Sequence, residues 1–159
     1  MPVHSGVEIR RVEQGDLTEF DAHFARHRQE SGRGDIHFMP FAPDAPEAPQ
    51  GLDPVRLQLP PDRPGWQCCW GAWRIDAAQQ PRQIIGHVNL KAGMLRTRQH
   101  RVLLGMGIEQ AFRGQGLGRD LLATAIQFCQ RVPHLRWLDL QVFAHTLPAL
   151  RLYHTLGFV

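Results

Sequence analysis

Apolar and polar positions divide the chain into segments with distinct periods. Val7 to Glu13 alternates, with Val7, Ile9 and Arg11 against Glu8, Arg10 and Val12, which predicts a strand. Asp16 is followed three residues later by Glu19, a capping-box spacing, and Leu17, Phe20 and Phe24 fall at helical intervals. A helix is therefore expected from Asp16 to about Glu30, ended by Ser31-Gly32-Arg33-Gly34. Trp66 to Ile75 is a continuous apolar, aromatic-rich run and reads as a buried strand. Gln79-Gln80-Pro81-Arg82 turns the chain into a second strand over Ile84 to Leu90, and Val102 to Ile108 is a third apolar run. From Leu117 to Arg131 the residues Leu117, Leu121, Leu122, Ala125, Ile126 and Cys129 form one helical stripe, which Pro133 stops. Trp137 to Phe143 predicts a strand. Thr146 to Leu156 predicts a short helix, with Thr146 as cap, Pro148 in its first turn and Gly157 at its exit. The order β-α-loop-β-β-β-α-β-α describes a mixed α/β domain without internal repeats.

The stretch Pro40 to Gly65 has no such period. It holds eight of the twelve prolines together with Asp44, Glu47, Asp53 and Asp62. It reads either as a loop on the substrate side or as a mobile insertion. The length of 159 residues suits one domain, 1–159. No run approaches the roughly 18 apolar residues of a membrane span. The first residues lack the basic flank and apolar block of a signal peptide, so a cytosolic protein is expected. Net charge is +3 with no long basic run, which argues against a nucleic-acid partner. Lys91 is the sole lysine among the basic residues; the arginine bias suits phosphate and carboxylate ligands, or reflects base composition. Cys68, Cys69 and Cys129 have neither zinc nor disulfide spacing and are expected to be inert core thiols.

The most specific segment is Gly105-Met106-Gly107-Ile108-Glu109-Gln110-Ala111-Phe112-Arg113-Gly114-Gln115-Gly116-Leu117-Gly118. A strand feeds a glycine-rich turn that opens a long amphipathic helix. Glycines let a ligand approach the backbone, and successive N–H groups at a helix N-terminus attract an anion, so pyrophosphate binding is expected. The glycine spacing matches neither G-x-G-x-x-G nor G-x-x-x-x-G-K-[ST], which weakens a nucleotide-binding reading.

Arg113-Gly114-Gln115-Gly116-Leu117-Gly118 resembles the [Q/R]-x-x-G-x-[G/A] signature of the GNAT superfamily of acetyl-CoA-dependent N-acetyltransferases. Downstream, the run from Val142 through Ala149 and Tyr153 to Gly157-Phe158 resembles that family's second hallmark. The likeness covers about Ile84 to Val159, and the earlier half only in the order of its elements. It implies the GNAT fold, an α/β mixed sheet whose fourth and fifth strands, here Val102–Ile108 and Trp137–Phe143, splay apart around acetyl-CoA. The pantetheine arm would pair with Met106, Gly107 and Ile108. The pyrophosphate would sit on Arg113, Gly114, Gln115, Gly116, Leu117 and Gly118, with Arg119 nearby. Gly105 and Gly107 would allow close approach, and a bulge there would splay the strands. Thr146 stands where the family often has asparagine; it keeps a capping role, and its contact with cofactor is open.

The same resemblance implies transfer of an acetyl group to a primary amine of a small molecule or peptide by direct attack in a ternary complex. No metal is expected. Tyr153 occupies the slot of the family's general acid, and a phenol can protonate the departing thiolate. The base is less defined, because Val102 to Ile108 contains no carboxylate. His87 and Glu109 are its candidates; His100 and His37 are other histidines near this region. Arg96, Arg98, His100 and Arg101 form a basic cluster that either meets a phosphate or is a solvated connection, and Trp66, Trp70 and Trp73 read as core. The rival function is a non-catalytic acyl-CoA-binding or regulatory module on the same fold. Family members continue past the Gly-Phe pair into further strands, so the sheet is expected to lack its last one or two strands. The open edge at Trp137–Phe143 would then favour a homodimer.

Overall fold

The computed structural model describes residues 6–31 and 51–159; His37 and the Pro40–Gln50 part of the proline-rich stretch lie outside the described residues. Five strands form one sheet in sequence order: β1 (Val7–Arg11), β2 (Gln67–Ile75), β3 (Pro81–Ala92), β4 (Arg101–Ile108) and β5 (Trp137–Leu140). β1 to β4 are antiparallel, and β5 joins β4 in parallel. Helices α1 (Leu17–Glu30), α2 (Leu117–Arg131) and α3 (Leu147–Thr155) complete the mixed α/β fold.

Alternation along β2 sorts the core onto two faces. Cys68, Trp70 and Ala72 join Ile85, Val88, Leu90, Val102 and Leu104 beneath Leu117, Leu121, Leu122 and Ala125 of α2. Cys69 and Trp73 join Ile84, Val12 and Leu52 beneath Phe20 of α1. Each fully buried Leu, Ile or Phe contributes about 1.5–3 kcal/mol, so the α2 stripe anchors that helix without help from surface charges. The three tryptophans are core residues as expected, and the thiols of Cys68 and Cys69 are buried and held well above the ordinary thiol range by desolvation.

The elements match the sequence pattern in kind and order, with four differences. The expected capping box at Asp16 and Glu19 forms three residues earlier. The Asp16 carboxylate accepts from the Glu13 N–H at 2.9 Å and from the Arg10 guanidinium at 3.1 Å, so it does not cap α1. Glu19 instead accepts from the Ile84 N–H across the sheet at 3.0 Å. β3 is longer than Ile84–Leu90 and begins at Pro81, because the turn is made by Asp76, which accepts N–H groups from Ala78 and Gln80, and by Gln79 at φ 60°.

β5 is shorter than Trp137–Phe143. It pairs with β4 only from Arg101↔Trp137 to Leu104↔Leu140, after which β4 runs on paired with β3 alone, and Gln141–Phe143 lie outside the strand. The bulge expected at Gly105 and Gly107 is absent: β3 and β4 stay in register from Ala92↔Val102 to Gly86↔Ile108. The shift lies one strand over, where Ala72 faces Gly86 and Trp73 faces Ile84, leaving Ile85 unpaired.

In the second half of the proline-rich stretch, Leu52 and Leu57 pack on the α1 face. Asp53 accepts the N–H groups of Val55 and Arg56 around a short 3-10 turn at Arg56–Gln58.

Candidate active site

The divergence of β4 from β5 opens a backbone edge. The Glu109 N–H donates to the Ile85 carbonyl at 3.0 Å, so the two-residue period turns the polar groups of Gly107 and Gly105 toward β3. Those of Ile108, Met106 and Leu104 turn toward β5. Leu104 still meets β5, whereas Met106 and Ile108 lie beyond its end. The Arg113 Nε–H donates to the Ile108 carbonyl at 2.9 Å, which leaves Met106 with its N–H and C=O along the edge and no strand partner. Of the three residues expected to pair with the pantetheine arm, Met106 thus has the most available backbone, and Gly107 turns its backbone the other way.

Gly107 has a second use. A Cβ built on it would run into the ring of His27, so its missing side chain makes room for a histidine of α1. Gly105 likewise lies against the Asn89 amide, 3.4 Å from where a Cβ would be.

Past β4, the chain makes a 3-10 turn at Gln110–Phe112 and then the glycine turn. Gly114 (φ 73°) and Gly116 (φ 85°) are left-handed, conformations costing about 1–2 kcal/mol for other residues. Gly116 is the N-cap of α2, and no side chain caps the helix. The first-turn N–H groups of Leu117, Gly118 and Arg119 lack helical acceptors and, with the helix dipole, present positive charge beside exposed Gly114, Gln115 and Gly116. Gly118 itself is buried. Its Cβ position lies 3.1 Å from Leu152 of α3 and 3.3 Å from Ile108, so this glycine seats α2 between α3 and β4. Arg113 has its fork engaged by the Ile108 carbonyl and by the Glu30 carboxylate at 3.0 Å.

On α3, Tyr153 is half-buried against the main core and its ring meets Phe158 edge-on at 5.8 Å between centroids. Burial raises its phenol above the ordinary value. Thr146 stands at the N-cap position, but its hydroxyl makes no capping hydrogen bond; the helix start is set instead by Pro148 and by the Thr146 carbonyl accepting from Leu150.

The two base candidates belong to one buried chain. His87, on β3, is 3% exposed, and its Nδ1 lies 2.8 Å from Nε2 of His23 on α1. His23 Nδ1 lies 2.8 Å from Oε2 of Glu109. The Arg26 Nε–H donates to Glu109 Oε1 at 2.8 Å, and Arg26 also donates to the Ile84 carbonyl. Phe20 and Phe24 enclose His87 edge-on, and His27 completes the ring cluster. Burial holds His87 well below the ordinary imidazole value, reinforced by His23 and His27. Burial also lowers His23, against the hydrogen bond and charge of Glu109, which favour its protonated form.

His23 and His27 were missed in the sequence, although the signal was there: Phe20, His23, Phe24 and His27 share one helical face. His100 serves through its carbonyl, which accepts from Arg136 and Trp137, and Arg101 pairs with Asp139 at 2.6 Å, so that end of the basic cluster belongs to the sheet.

A five-stranded sheet with β4 and β5 parting over an open edge, followed by a glycine turn into a helix, is matched by the profile of the acetyltransferase (GNAT) family over residues 36–158. The chain belongs to the GNAT acetyltransferase family. Solved GNAT structures share its fold. An acetyltransferase of the GNAT family from Streptococcus pneumoniae is 25% identical, with a TM-score of 0.72 over 96% of this chain and 84% of its own. A GCN5-related N-acetyltransferase from Kribbella flavida gives 20% identity and a TM-score of 0.67 over 98% and 83% of the two chains. The yncA protein of Salmonella typhimurium, solved with its cofactor acetyl-CoA, gives 16% identity and a TM-score of 0.66 over 97% of this chain and 80% of its own. No curated protein sequence matches at a significant level. Among the described residues, no group of His, Cys, Asp or Glu is arranged to hold a metal, and no helix is long and apolar enough to cross a membrane.

Proposed function

We propose that this GNAT protein, as one domain over 1–159, transfers the acetyl group of acetyl-CoA to a primary amine of a small molecule or peptide by direct attack in a ternary complex. The reading is carried by the buried His87–His23–Glu109 chain beneath the β4 segment whose other edge is open. A binding module needs the open edge and the glycine turn but has no use for a proton acceptor under them.

The residues present fit acetyl-CoA. Gly114 has open space where a Cβ would be, so a diphosphate can reach the backbone there, and the N–H groups of Gln115 to Arg119 would hold it. Arg113 shapes this turn through Ile108 and Glu30. The Met106 C=O would accept from a pantetheine amide N–H, with Gly107 and Ile108 fixing the strand on either side. Thr146 lies at the start of α3, the helix whose Leu152 packs on Gly118 of α2. Acetyl-CoA, when bound, supplies the thioester that the amine attacks.

The chain's own residues supply the rest. An alkylammonium of pKa about 10.4 must lose a proton, at about 4–5 kcal/mol near neutral pH. His87 receives it, whereas both oxygens of Glu109 are already engaged and orient the chain. The Met106 N–H is a donor for the oxygen on which negative charge develops. Tyr153, kept protonated by burial, gives its proton to the leaving sulfur, whose thiol has a pKa of about 8.5. A cytosolic site of action belongs to the same reading, supported by free Cys68, Cys69 and Cys129.

Calorimetric titration with CoA, followed by a panel of amines assayed for free thiol, tests the reading; absence of CoA binding overturns it. Tyr153→Phe is expected to lower turnover about 10²–10⁴-fold with acetyl-CoA affinity nearly unchanged. Full activity in that variant removes Tyr153 from the mechanism.

A further inference from the structure

We propose that His23 is a positioning residue for acetyl transfer: it locks His87 in the tautomer that leaves Nε2 free to receive a proton, and it then shares the resulting charge with Glu109. The proposal rests on the reading of the chain as an acetyltransferase with His87 as base.

The order of donors follows from the carboxylate. Glu109 has only acceptors to offer, and Arg26 holds it in place at 2.8 Å. His23 Nδ1, 2.8 Å away, must carry a hydrogen and donate it. A neutral imidazole has one such hydrogen, so His23 Nε2 is an acceptor. His87 Nδ1, 2.8 Å from it, must then be the donor. This leaves a lone pair on His87 Nε2, and no described group hydrogen-bonds to that atom. A histidine at position 87 alone could adopt either tautomer; the line from Arg26 through Glu109 and His23 selects one.

The same line decides where the charge rests. A proton on His87 Nε2 makes a cation in a ring with no carboxylate against it, enclosed by Phe20, Phe24 and His27. Passing the Nδ1 proton to His23 Nε2 moves the cation to the ring that Glu109 contacts. In this step the ammonium N–H bond breaks and the His87 Nε2–H bond forms. The His87 Nδ1–H bond breaks and the His23 Nε2–H bond forms. The amine keeps its lone pair for attack, and the carboxylate stays unprotonated. The reverse hops return the proton to water once product has left. The charged and titratable groups facing the pair are His27, Arg26 and Glu19 of α1 and Glu109 after β4; Glu109 is the carboxylate hydrogen-bonded to it.

Two measurements test this. Nitrogen-15 NMR of the histidine-labelled wild-type protein at neutral pH is expected to show His23 and His87 both in the Nδ1–H form; an Nε2–H form at His87 overturns the proposal. The second is the pH profile of kcat/KM with an amine that the wild type acetylates. Activity is expected to fall on the acid side with an apparent pKa below 6.5. Glu109→Gln removes the charge that favours protonated His23, so the limb moves to lower pH. His23→Asn lowers the plateau about tenfold or more while acetyl-CoA affinity stays the same. If both folded variants keep the wild-type limb and plateau, His23 only packs, and the proposal fails while acetyl transfer stands. If the wild type binds no acetyl-CoA and releases no thiol with any amine, acetyl transfer itself fails, and the relay with it.

Discussion

Three buried histidines on the α1 face are unusual residues for a core, and their protonation couples folding to pH. Burial pushes His27 down to about 3, reinforced by the nearby His23 ring, which disfavours a second cation, and by the Arg113 guanidinium. His23 and His87 are lowered as well. The unfolded chain takes up protons near pH 6.5, whereas these folded rings resist them. Their contribution is therefore fully present above about pH 6.5 and is lost as pH falls toward the folded values, at up to about 1.4 kcal/mol per pH unit for each ring. The expected outcome is a urea-unfolding free energy that drops steeply between pH 6.5 and 5. His27→Gln should make that slope shallower by about one ring's share. A flat profile in the wild type would show that the rings titrate normally.

At the scale of elements, the glycines of the α2 turn divide their labour. Gly114 needs its backbone conformation and has space around it; Gly118 has an ordinary backbone and no space. Gly114→Ala should therefore cost about 1–2 kcal/mol of strain and weaken acetyl-CoA binding in a calorimeter. Gly118→Leu should cost about 1–3 kcal/mol in thermal unfolding by forcing α2 away from Leu152 and Ile108.

The elements themselves were readable because each has a clean period: the stripe of α2 and the alternation of β2 leave little choice of structure. The glycine turn was readable as a turn, but its three glycines looked alike, and packing against α3 cannot be seen from spacing. The open strand edge at Met106 and the left-handed turn at Gly114 were readable because motif and backbone coincide there. The site was not readable where partners come from distant segments. His23 and Glu109 are 86 positions apart, and only the closure of α1 over β3 and β4 brings them together. Arg113 has a partner, Glu30 of α1, that is 83 positions away and equally invisible to spacing.

At the scale of the whole molecule, the sheet of the described residues ends on β5, a four-residue strand that carries exposed Trp137 and is followed by exposed Phe143 and Leu147. An open edge beside apolar side chains is a template for another strand. Concentration-dependent dimerisation is expected in light scattering, and Trp137→Lys should shift it toward monomer; a wild-type monomer at every concentration would show that the edge is silent.

Glu30 ties this architecture together. Standing at the last residue of α1, its carboxylate accepts the Gln110 N–H at 3.0 Å and grips Arg113 at 3.0 Å, just ahead of the glycine turn. The same helix carries His23 and Arg26 a turn or two earlier. The glycine turn and the imidazole chain are thus both tied to one helix. Where an anion bound at the turn shifts this helix, reciprocity requires that protonating those imidazoles alter affinity at the turn by the same factor.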